Sequence, residues 1–332
     1  MTRLGTGNPQ ACLQAAGLRP LVGDLRQFAG VRRLVLDDGP ERGVVALELS
    51  TGAGLDFWVM ADRALDIGVL RWQGLPVAWQ SPQGLMHPSL AAVEGDGARG
   101  FTRLLSGFLC TCGLEHVRQP RDGNPLHGRL GMMPARVLAA SARWDLPEPV
   151  LRVEGEVVQY RQGAENLRLN RVIDAPIGGS EIRITDTVSN DGPVEQPHDL
   201  LYHFNIGYPA LVSGSTVDVD GRRVLGPLTL PDAAAASVVC EPAGGPETEV
   251  VMTSPLADGS HLRIRWVSGA STLPWVQIWR DLRPGSGLLA IEPCASQWMP
   301  GGNSGPLPLL KPGERRRYNI RIQFERVRGS TD

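Results

Sequence analysis

Strict alternation of apolar and polar side chains near the end of the chain constrains its fold more than any other feature. Apolar residues occupy every second position from Tyr318 to Phe324, with a charged or amide side chain between each pair. A period of two is typical of a β-strand with one face on a core and the other in water. The sequence therefore predicts a terminal strand in an antiparallel sheet.

The same alternation recurs along the chain, separated by turn signals. It is found at 45–49, 151–153, 182–188 and 262–266, and 55–60 also has strand character. Asp-Gly pairs, as at Asp220-Gly221 and Asp258-Gly259, favour tight hairpins. Forty Gly and 27 Pro in 332 residues disfavour many long helices. Short helices are expected only near 9–17 and 89–93.

These patterns predict an all-β fold, a large antiparallel β-sandwich. Sandwiches and barrels of this size often form one domain, so we expect a single domain over 1–332. Within it, 233–246 is rich in Ala, Gly and Pro and is interpreted as a surface excursion.

The charge balance and hydropathy exclude several classes of partner. The chain has 33 basic and 35 acidic residues, a net charge of -2, which is far from the basic character of nucleic-acid-binding proteins. No run of about eighteen apolar residues occurs, and the start lacks a secretory signal pattern. We therefore expect no nucleic acid, no membrane and a cytoplasmic location.

The cysteines and histidines indicate no specific metal site and no cofactor. Five cysteines are an odd number without disulfide or zinc-knuckle spacing, and a strand would place Cys110 and Cys112 on one face as small core residues. The histidine spacings match no known ligand motif. A metal site assembled only by the fold stays possible. The cysteines are Cys12, Cys110, Cys112, Cys240 and Cys294.

Two histidines stand in contexts that suit a binding site. His127 is followed by Gly128, which permits close approach of a ligand or of another backbone segment. His203 lies in a run of aromatic and amide residues from Tyr202 to Tyr208. Sugar sites combine aromatic rings with hydrogen-bonding groups. The alternative for each is a structural histidine bonded to a carbonyl group.

Three charged residues lie in apolar segments of the sequence, and their presence there needs an explanation. Glu292 ends an apolar segment just before Pro293. If Glu292 points inward, loss of hydration raises its pKa and makes it a proton acceptor near neutral pH; otherwise it is a strand-end residue in water. Arg63 and Asp66 follow the predicted strand 55–60 and form either an internal ion pair or contacts to sugar hydroxyls.

Signatures of other enzyme classes are missing. No G-x-S-x-G motif is present, and neither a P-loop nor a G-x-G-x-x-G motif between a strand and a helix can be found. The sequence therefore does not indicate a serine hydrolase with a nucleophile elbow or a nucleotide-binding protein.

Six segments, in their order along the chain, resemble a family of bacterial aldose 1-epimerase-like proteins that is similar in turn to galactose mutarotases. The resemblance covers roughly residues 20 to 328 and leaves 1–19 as an N-terminal extension. It implies a β-supersandwich with an open cleft across one sheet, where a monosaccharide or sugar derivative binds. The segments are 62–68, 110–114, 126–129, 186–190, 202–209 and 292–293.

The resemblance also implies an activity and a set of site residues. In mutarotases a late Glu takes the proton of the anomeric hydroxyl and a His protonates the ring oxygen, so that the ring opens and recloses. Glu292 matches that base and His203 that acid. Roles in substrate binding are implied for His127, Asn205 and Gln277, and for Arg103 as the upstream arginine, with Arg63 and Asp66 assigned to the cleft floor.

Two further functions remain open at this point. One is a different sugar isomerase on the same scaffold, with a metal held by His116, His127 or His203. The second is a carbohydrate-binding protein without catalysis. The identity of the sugar stays open, and an exposed sheet edge would allow a homodimer.

Overall fold

The structure, a computed structural model, describes residues 15–328 and consists almost entirely of antiparallel strands. The predicted all-β class is confirmed. Cys12 and most of the helix predicted near 9–17 lie outside the described residues. The first strands are β1 (Gly30–Val35), β2 (Val45–Ser50), β3 (Leu55–Met60), β4 (Asp66–Trp72), β5 (Leu75–Pro76), β6 (Leu109–Leu114), β7 (Arg136–Arg143) and β8 (Val150–Tyr160).

The remaining strands complete the sheets. The next strands are β9 (Asn166–Pro176), β10 (Glu181–Asn190), β11 (Gln196–Pro197), β12 (Asp199–Ile206), β13 (Thr216–Val219), β14 (Arg222–Leu225), β15 (Ser237–Pro242) and β16 (Glu247–Pro255). The last are β17 (Ser260–Gly269), β18 (Trp275–Asp281), β19 (Leu288–Cys294), β20 (Trp298–Met299), β21 (Asn303–Ser304), β22 (Leu309–Leu310) and β23 (Arg315–Arg328).

Helical segments within residues 15–328 are single turns. The helix expected at 89–93 is instead a 3-10 turn, because the backbone becomes extended at Ala91. These segments are α1 (Ala15–Leu18) and α2 (Gly95–Ala98), with 3-10 turns at Leu25–Gln27, Gly39–Glu41, Pro88–Leu90, Gly100–Arg103 and Leu130–Met132. Within residues 15–328, a helix that could span a membrane is absent.

Three sheets make up the body of the fold. The N-terminal sheet has the order β1-β2-β3-β4-β5, and the large sheet has the order β14-β13-β16-β17-β23-β10-β9-β8-β7. A third sheet, here called the site sheet, has the order β15-β18-β19-β12-β6. The predicted hairpin turns at Asp220-Gly221 and Asp258-Gly259 join β13 to β14 and β16 to β17.

The alternating pattern of β23 divides the two faces of the large sheet as predicted. Ile320 and Ile322 are buried, whereas Arg317 and Arg321 between and beside them are exposed. β23 pairs with β10 on one side and β17 on the other. Its apolar face therefore contributes to the core from the centre of the large sheet.

The core lies between the large sheet and the site sheet. The rings of Phe204 from β12 and Trp266 from β17 meet across it, with centroids 6.2 Å apart. Trp72 of the N-terminal sheet and Phe324 of β23 stack at 6.5 Å. Burying each such side chain contributes about 1.5–3 kcal/mol. This packing fixes the position of β12, whose opposite face carries the candidate site.

The segment 233–246 differs from the prediction of a plain surface excursion. Its central part forms β15, which pairs with β18 at the edge of the site sheet. The β-branched Val238 and Val239 favour a strand there, and pairing satisfies their backbone groups on one side.

Candidate active site

Strand register aligns five side chains in one row across the site sheet. His203 lies opposite Cys110, and Gln277 lies opposite both Glu292 and Cys240. In the pairing of β12 with β19, Phe204 lies opposite Ile291, and this register brings His203 to Glu292. Each of these residues comes from a different strand, so the sheet itself holds the row together.

The two faces of β12 serve different purposes. Tyr202 and Phe204 point into the core between the sheets, where both are fully buried. Side chains alternate along a strand, so His203 and Asn205 point to the other face. We call that side of the site sheet the cleft face.

His203 and Glu292 form a buried pair on the cleft face. His203 Nε2 lies 3.2 Å from Glu292 Oε1. The residues are 4% and 0% exposed. Glu292 Oε1 has no hydrogen-bond partner among residues 15–328, although Glu292 is completely buried. A buried carboxylate oxygen without a hydrogen bond is costly, and this one stands beside a second titratable side chain.

Asn205 fixes the orientation and tautomer of His203. The Asn205 amide nitrogen donates to the carbonyl oxygen of Leu105 at 2.8 Å. Its amide oxygen therefore accepts from His203 Nδ1, at 2.5 Å. Nδ1 then keeps its hydrogen in either charge state, so His203 exchanges protons through Nε2, the atom that faces Glu292.

Gln277 holds the other oxygen of Glu292. Arg118 Nε donates to Gln277 Oε1 at 3.2 Å, which leaves the Gln277 amide nitrogen to donate to Glu292 Oε2. Both ends of the Gln277 amide are thus engaged within the protein. Only Oε1 of Glu292 is free to act on a ligand.

Burial moves the two pKa values in opposite directions. Loss of hydration raises the pKa of Glu292 to about 8, and the positive charge of Arg118 and the hydrogen bond from Gln277 oppose this rise only in part. Loss of hydration lowers the pKa of His203 to about 4, opposed by its bond to Asn205. Between these values the pair holds one proton, with Glu292 favoured as its resting position.

His127 contributes a neutral donor beside the pair. Its ring lies 5.8 Å from that of His203, nearly perpendicular, and 4.8 Å from Phe101. His127 Nδ1 accepts from the backbone N–H of Arg118 at 3.3 Å, so Nε2 carries the hydrogen. Burial, and next the charges of His203 and Arg118, lower the pKa of His127 well below its usual value. It therefore donates without becoming charged.

The next row of the site sheet is shaped differently. Asn205 lies opposite Ala290, and Ala290 opposite Trp279. The half-buried Trp279 ring is 6.1 Å from the ring of His203. The small Ala290 stands between an amide and an aromatic ring, an arrangement that suits the face of a sugar.

The structure does not bring the other predicted binding residues to this row. Arg103 is about half exposed and pairs with Asp96. Asp66 contacts Thr111 and Arg171 on the core side of β6, opposite to the cleft face. These side chains are occupied elsewhere, and we do not include them in the proposed site.

Arg63 lies under the loop that borders the cleft. Its guanidinium donates to the carbonyl groups of Ser106, at 2.9 Å, and Leu104, and it contacts Cys110 Sγ at 3.3 Å. These contacts support the loop from beneath. The structure thus gives Arg63 internal contacts, although its partners are carbonyl groups and not Asp66.

Arg118 is the residue that the sequence interpretation missed. It is 2% exposed and touches Gln277, whereas the resemblance had suggested Arg103. Its sequence position carries no recognisable spacing to Gln277 or Glu292. Arg118 and Arg121 both follow the strand with Cys110 and Cys112, and the sequence does not distinguish between them.

Histidines and acids do not converge as metal ligands in the described part of the chain. No group of three or more His, Cys, Asp or Glu side chains there is arranged to hold an ion. His116 Nε2 instead bonds the carbonyl of Gln119 at 2.8 Å.

Two large surface cavities lie away from the pair. One, of about 630 Å³, is lined by Trp79, Tyr208 and Leu230, and another, of about 1410 Å³, lies against Arg183 and Arg265 of the large sheet. Neither is lined by His203 or Glu292. Chemistry needs reactive groups in place, and the buried acid and base groups lie outside the lining of both cavities.

The sequence matches one family. The profile described as "Domain of unknown function (DUF4432)" matches residues 41–324, and the chain belongs to that family. No curated protein matches the sequence significantly.

Several solved structures share the fold. A "putative aldose 1-epimerase" from Klebsiella pneumoniae is 16% identical, with a TM-score of 0.71 over 90% of this chain and 84% of that one. A galactose mutarotase-like protein from Clostridium acetobutylicum is 12% identical, with a TM-score of 0.63 over 90% and 99%. A galactose 1-epimerase from Lactobacillus acidophilus is 11% identical, with a TM-score of 0.54 over 90% and 99%. The chain therefore has the galactose mutarotase-like sandwich fold.

Proposed function

We propose that this member of the DUF4432 family is an aldose 1-epimerase that interconverts the anomers of a free monosaccharide, with Glu292 and His203 as its proton-transfer pair. One observation carries the proposal. Glu292 Oε1 is buried, lacks a hydrogen-bond partner within residues 15–328, and lies 3.2 Å from His203 Nε2. A pure binding site needs no such matched donor and acceptor.

The spacing of the pair suits ring opening. The anomeric hydroxyl and the ring oxygen of a pyranose are bonded to the same carbon, so the groups that act on them must stand close together. Glu292 and His203 face one another from neighbouring strands and meet this requirement. Each positioned acid or base typically contributes about 10²- to 10⁴-fold to the rate.

The proton count balances through the cycle. The resting proton first passes from Glu292 to His203 Nε2, which leaves a carboxylate base and an imidazolium acid. Glu292 then takes the proton of the anomeric hydroxyl while His203 protonates the ring oxygen; the C1–O bond of the ring breaks as the carbonyl forms. After rotation about the adjacent C–C bond, the reverse transfers close the ring as the other anomer.

Neighbouring groups would hold the sugar. His127 offers a neutral N–H donor to a hydroxyl, and Trp279 offers an aromatic wall beside Ala290. Asn205 acts through His203, since its amide is fully engaged. The fold shared with proteins named as epimerases and mutarotases supports the proposal.

Exchange NMR on a panel of free aldoses and uronic acids tests the proposal. We expect faster exchange between α and β anomers for at least one sugar with the protein present. The His203→Asn variant should lose about 10²-fold or more of that rate, because an amide cannot deliver a proton. Binding signals without faster exchange for any sugar would indicate a carbohydrate-binding protein or chemistry at another carbon.

A further inference from the structure

Arg118 connects three elements of the candidate site. It lies in the loop after β6, and its guanidinium is buried against the end of β19 and the loop that follows. Its Nη1 donates to the hydroxyl groups of Ser296 at 2.5 Å and Ser304 at 2.8 Å, and its Nη2 donates to the carbonyl of Ser296 at 2.6 Å. These bonds fix the plane of the guanidinium.

A buried carboxylate balances the charge of Arg118. Asp199 lies 3.8 Å from Arg118 Nη1 and accepts hydrogen bonds from both Ser296 and Ser304, at 2.6 and 2.9 Å. Asp199 also accepts from the backbone N–H of Leu200 at 3.0 Å. The arginine is therefore held from behind by a network that leaves its Nε pointing at Gln277.

The side chain of Arg118 determines which way the Gln277 amide points. Since Nε donates to Gln277 Oε1, the Gln277 amide nitrogen must face Glu292. If that amide turned over, Arg118 and the amide nitrogen would face each other as two donors. The arginine thereby keeps Glu292 Oε2 occupied and Oε1 free.

The backbone of Arg118 performs a second task at His127. The Arg118 N–H donates to His127 Nδ1 at 3.3 Å, and the His127 N–H donates to the Arg118 carbonyl at 2.8 Å. Both residues have left-handed backbones, with φ of 73° and 63°. The left-handed region is unfavourable for residues other than glycine. Such backbone strain is concentrated at functional sites, where the surrounding structure maintains it.

We propose that Arg118 is a positioning residue that, through Gln277, orients Glu292 and adjusts its proton affinity, and that through its backbone fixes the donor nitrogen of His127. The inference deepens the proposed function and rests on it for its catalytic meaning. It also reassigns Gln277, which was predicted to bind the sugar, as the bridge between Arg118 and Glu292. Its amide oxygen accepts from Arg118, and its amide nitrogen donates to Glu292.

The charged and titratable groups around Glu292 determine the pKa that a titration of its carboxyl group would measure. Arg118 favours the ionised carboxylate, whereas burial opposes it more strongly. The neighbouring thiols have pKa values raised by burial and stay neutral through the range of interest. The titratable and charged groups near Glu292 are His203, Arg118, Cys112, Cys240 and Cys294.

The test is a direct titration of the Glu292 carboxyl in the full chain without ligand. Carboxyl signals of ¹³C-glutamate-labelled protein are followed against pH, and the Glu292 signal is assigned by its loss in Glu292→Gln. We expect Arg118→Met to raise the midpoint by about one pH unit or more, because an opposite charge nearby lowers a carboxyl pKa by about 1–3 units. Arg118→Lys should restore part of the shift.

Matched variants distinguish a specific effect of Arg118 on Glu292 from a general loss of structure. Arg129→Met removes another arginine close to His127, one that pairs with Glu115 and Glu94, and it should leave the Glu292 midpoint unchanged. If Arg118→Met does not fold, Gln277→Met keeps the arginine and breaks the bridge, and it should also raise the midpoint. An unchanged midpoint in a folded Arg118→Met, or in Gln277→Met where the former does not fold, would overturn the inference.

The outcome is independent of turnover. A shifted midpoint together with no faster exchange for any aldose would support the placement of Arg118 and reject the proposed epimerase activity. An unchanged midpoint together with fast exchange would do the opposite.

Discussion

Two buried polar clusters lie on opposite faces of the site sheet, and they differ in one respect that matters. On the core side, Arg171 donates to Asp186 at 2.9 and 2.7 Å and to Asp66 at 3.0 Å, while Tyr202 donates to Asp186 at 2.7 Å. On the cleft face, Glu292 Oε1 accepts no hydrogen bond within the described residues, although it lies 3.2 Å from His203 Nε2. Both clusters are equally buried, so burial alone does not identify a site. The carboxylate oxygens of Asp66 and Asp186 all accept hydrogen bonds, whereas an unpartnered oxygen of Glu292 lies 3.2 Å from a second titratable side chain, His203.

The core-side cluster connects the three sheets. Arg171 and Asp186 belong to β9 and β10 of the large sheet, Asp66 to β4 of the N-terminal sheet, and Tyr202 to β12 of the site sheet. Its closed set of hydrogen bonds gives it a structural role, in contrast to the cluster around Glu292. Four experiments test this distinction.

The largest effect is expected for Glu292→Gln, in opposite directions for activity and stability. Anomer exchange should fall by about 10²- to 10⁴-fold, because the amide cannot accept the proton. Stability should not fall at neutral pH. The pKa of Glu292 rises on folding from 4.5 to about 8, so this residue costs the folded protein stability as pH rises through that window, and glutamine removes the cost. Exchange NMR and thermal unfolding measure the two effects; a large loss of stability would make Glu292 structural.

Arg171→Met should lower the stability of the protein, whereas Glu292→Gln should not. Removing the cation leaves Asp186 and Asp66 buried without it, which costs about 3–5 kcal/mol of the free energy of unfolding. Denaturant unfolding measures this loss, and Tyr202→Phe, which removes one hydrogen bond to Asp186, should lose less. A folded Arg171→Met with normal stability but no anomer exchange would contradict the structural role.

The pH dependence of exchange tests whether the cleft-face pair shares one proton. Below about 4 His203 also becomes protonated, so no base remains. Above about 8 Glu292 also loses its proton, so no acid remains. We expect a bell-shaped profile of kcat/KM with limbs near these values. Rates measured with Glu292→Gln protein correct for the solvent-catalysed reaction, and a flat profile would argue against the pair.

The smallest effect is expected for Arg103→Gln. Arg103 and Asp96 form an exposed pair, 49% and 43% accessible, and such pairs contribute little. Exchange should change by less than about twofold, because the guanidinium of Arg103 bonds to Asp96 and not to the acid–base pair. A loss as large as that of His203→Asn in a folded protein would return Arg103 to the site.

The fold was largely predictable because its signal is local. Alternation from Tyr318 to Phe324 and the Asp-Gly turns act within a few residues, and the structure confirms them. The segment 233–246 was harder, since β15 forms at an edge where pairing with β18 decides the outcome. The composition of the segment does not reveal that β18 is its pairing partner.

The site was predictable in part, and for a different reason. Placement of Glu292 and His203 in one pair follows the resemblance and the chemical oddity of a carboxylate in an apolar segment; their roles stay predictions. Asp66 could not be placed, because its partners Thr111 and Arg171 are distant in sequence. Arg103 could not be placed, because only the folded loop brings it to Asp96. Arg118 had no signal for the same reason, since its contact to Gln277 exists only in three dimensions.

The row of side chains across the site sheet has a consequence for how the protein acquires its function during folding. Its members come from β6, β12, β15, β18 and β19, so the row is complete only after strands far apart in the chain have paired. Non-local pairings of this kind form late and slowly, since closing long loops costs entropy before contacts compensate. On refolding, secondary structure should therefore return before activity, and recovery of turnover would report the completed chain topology.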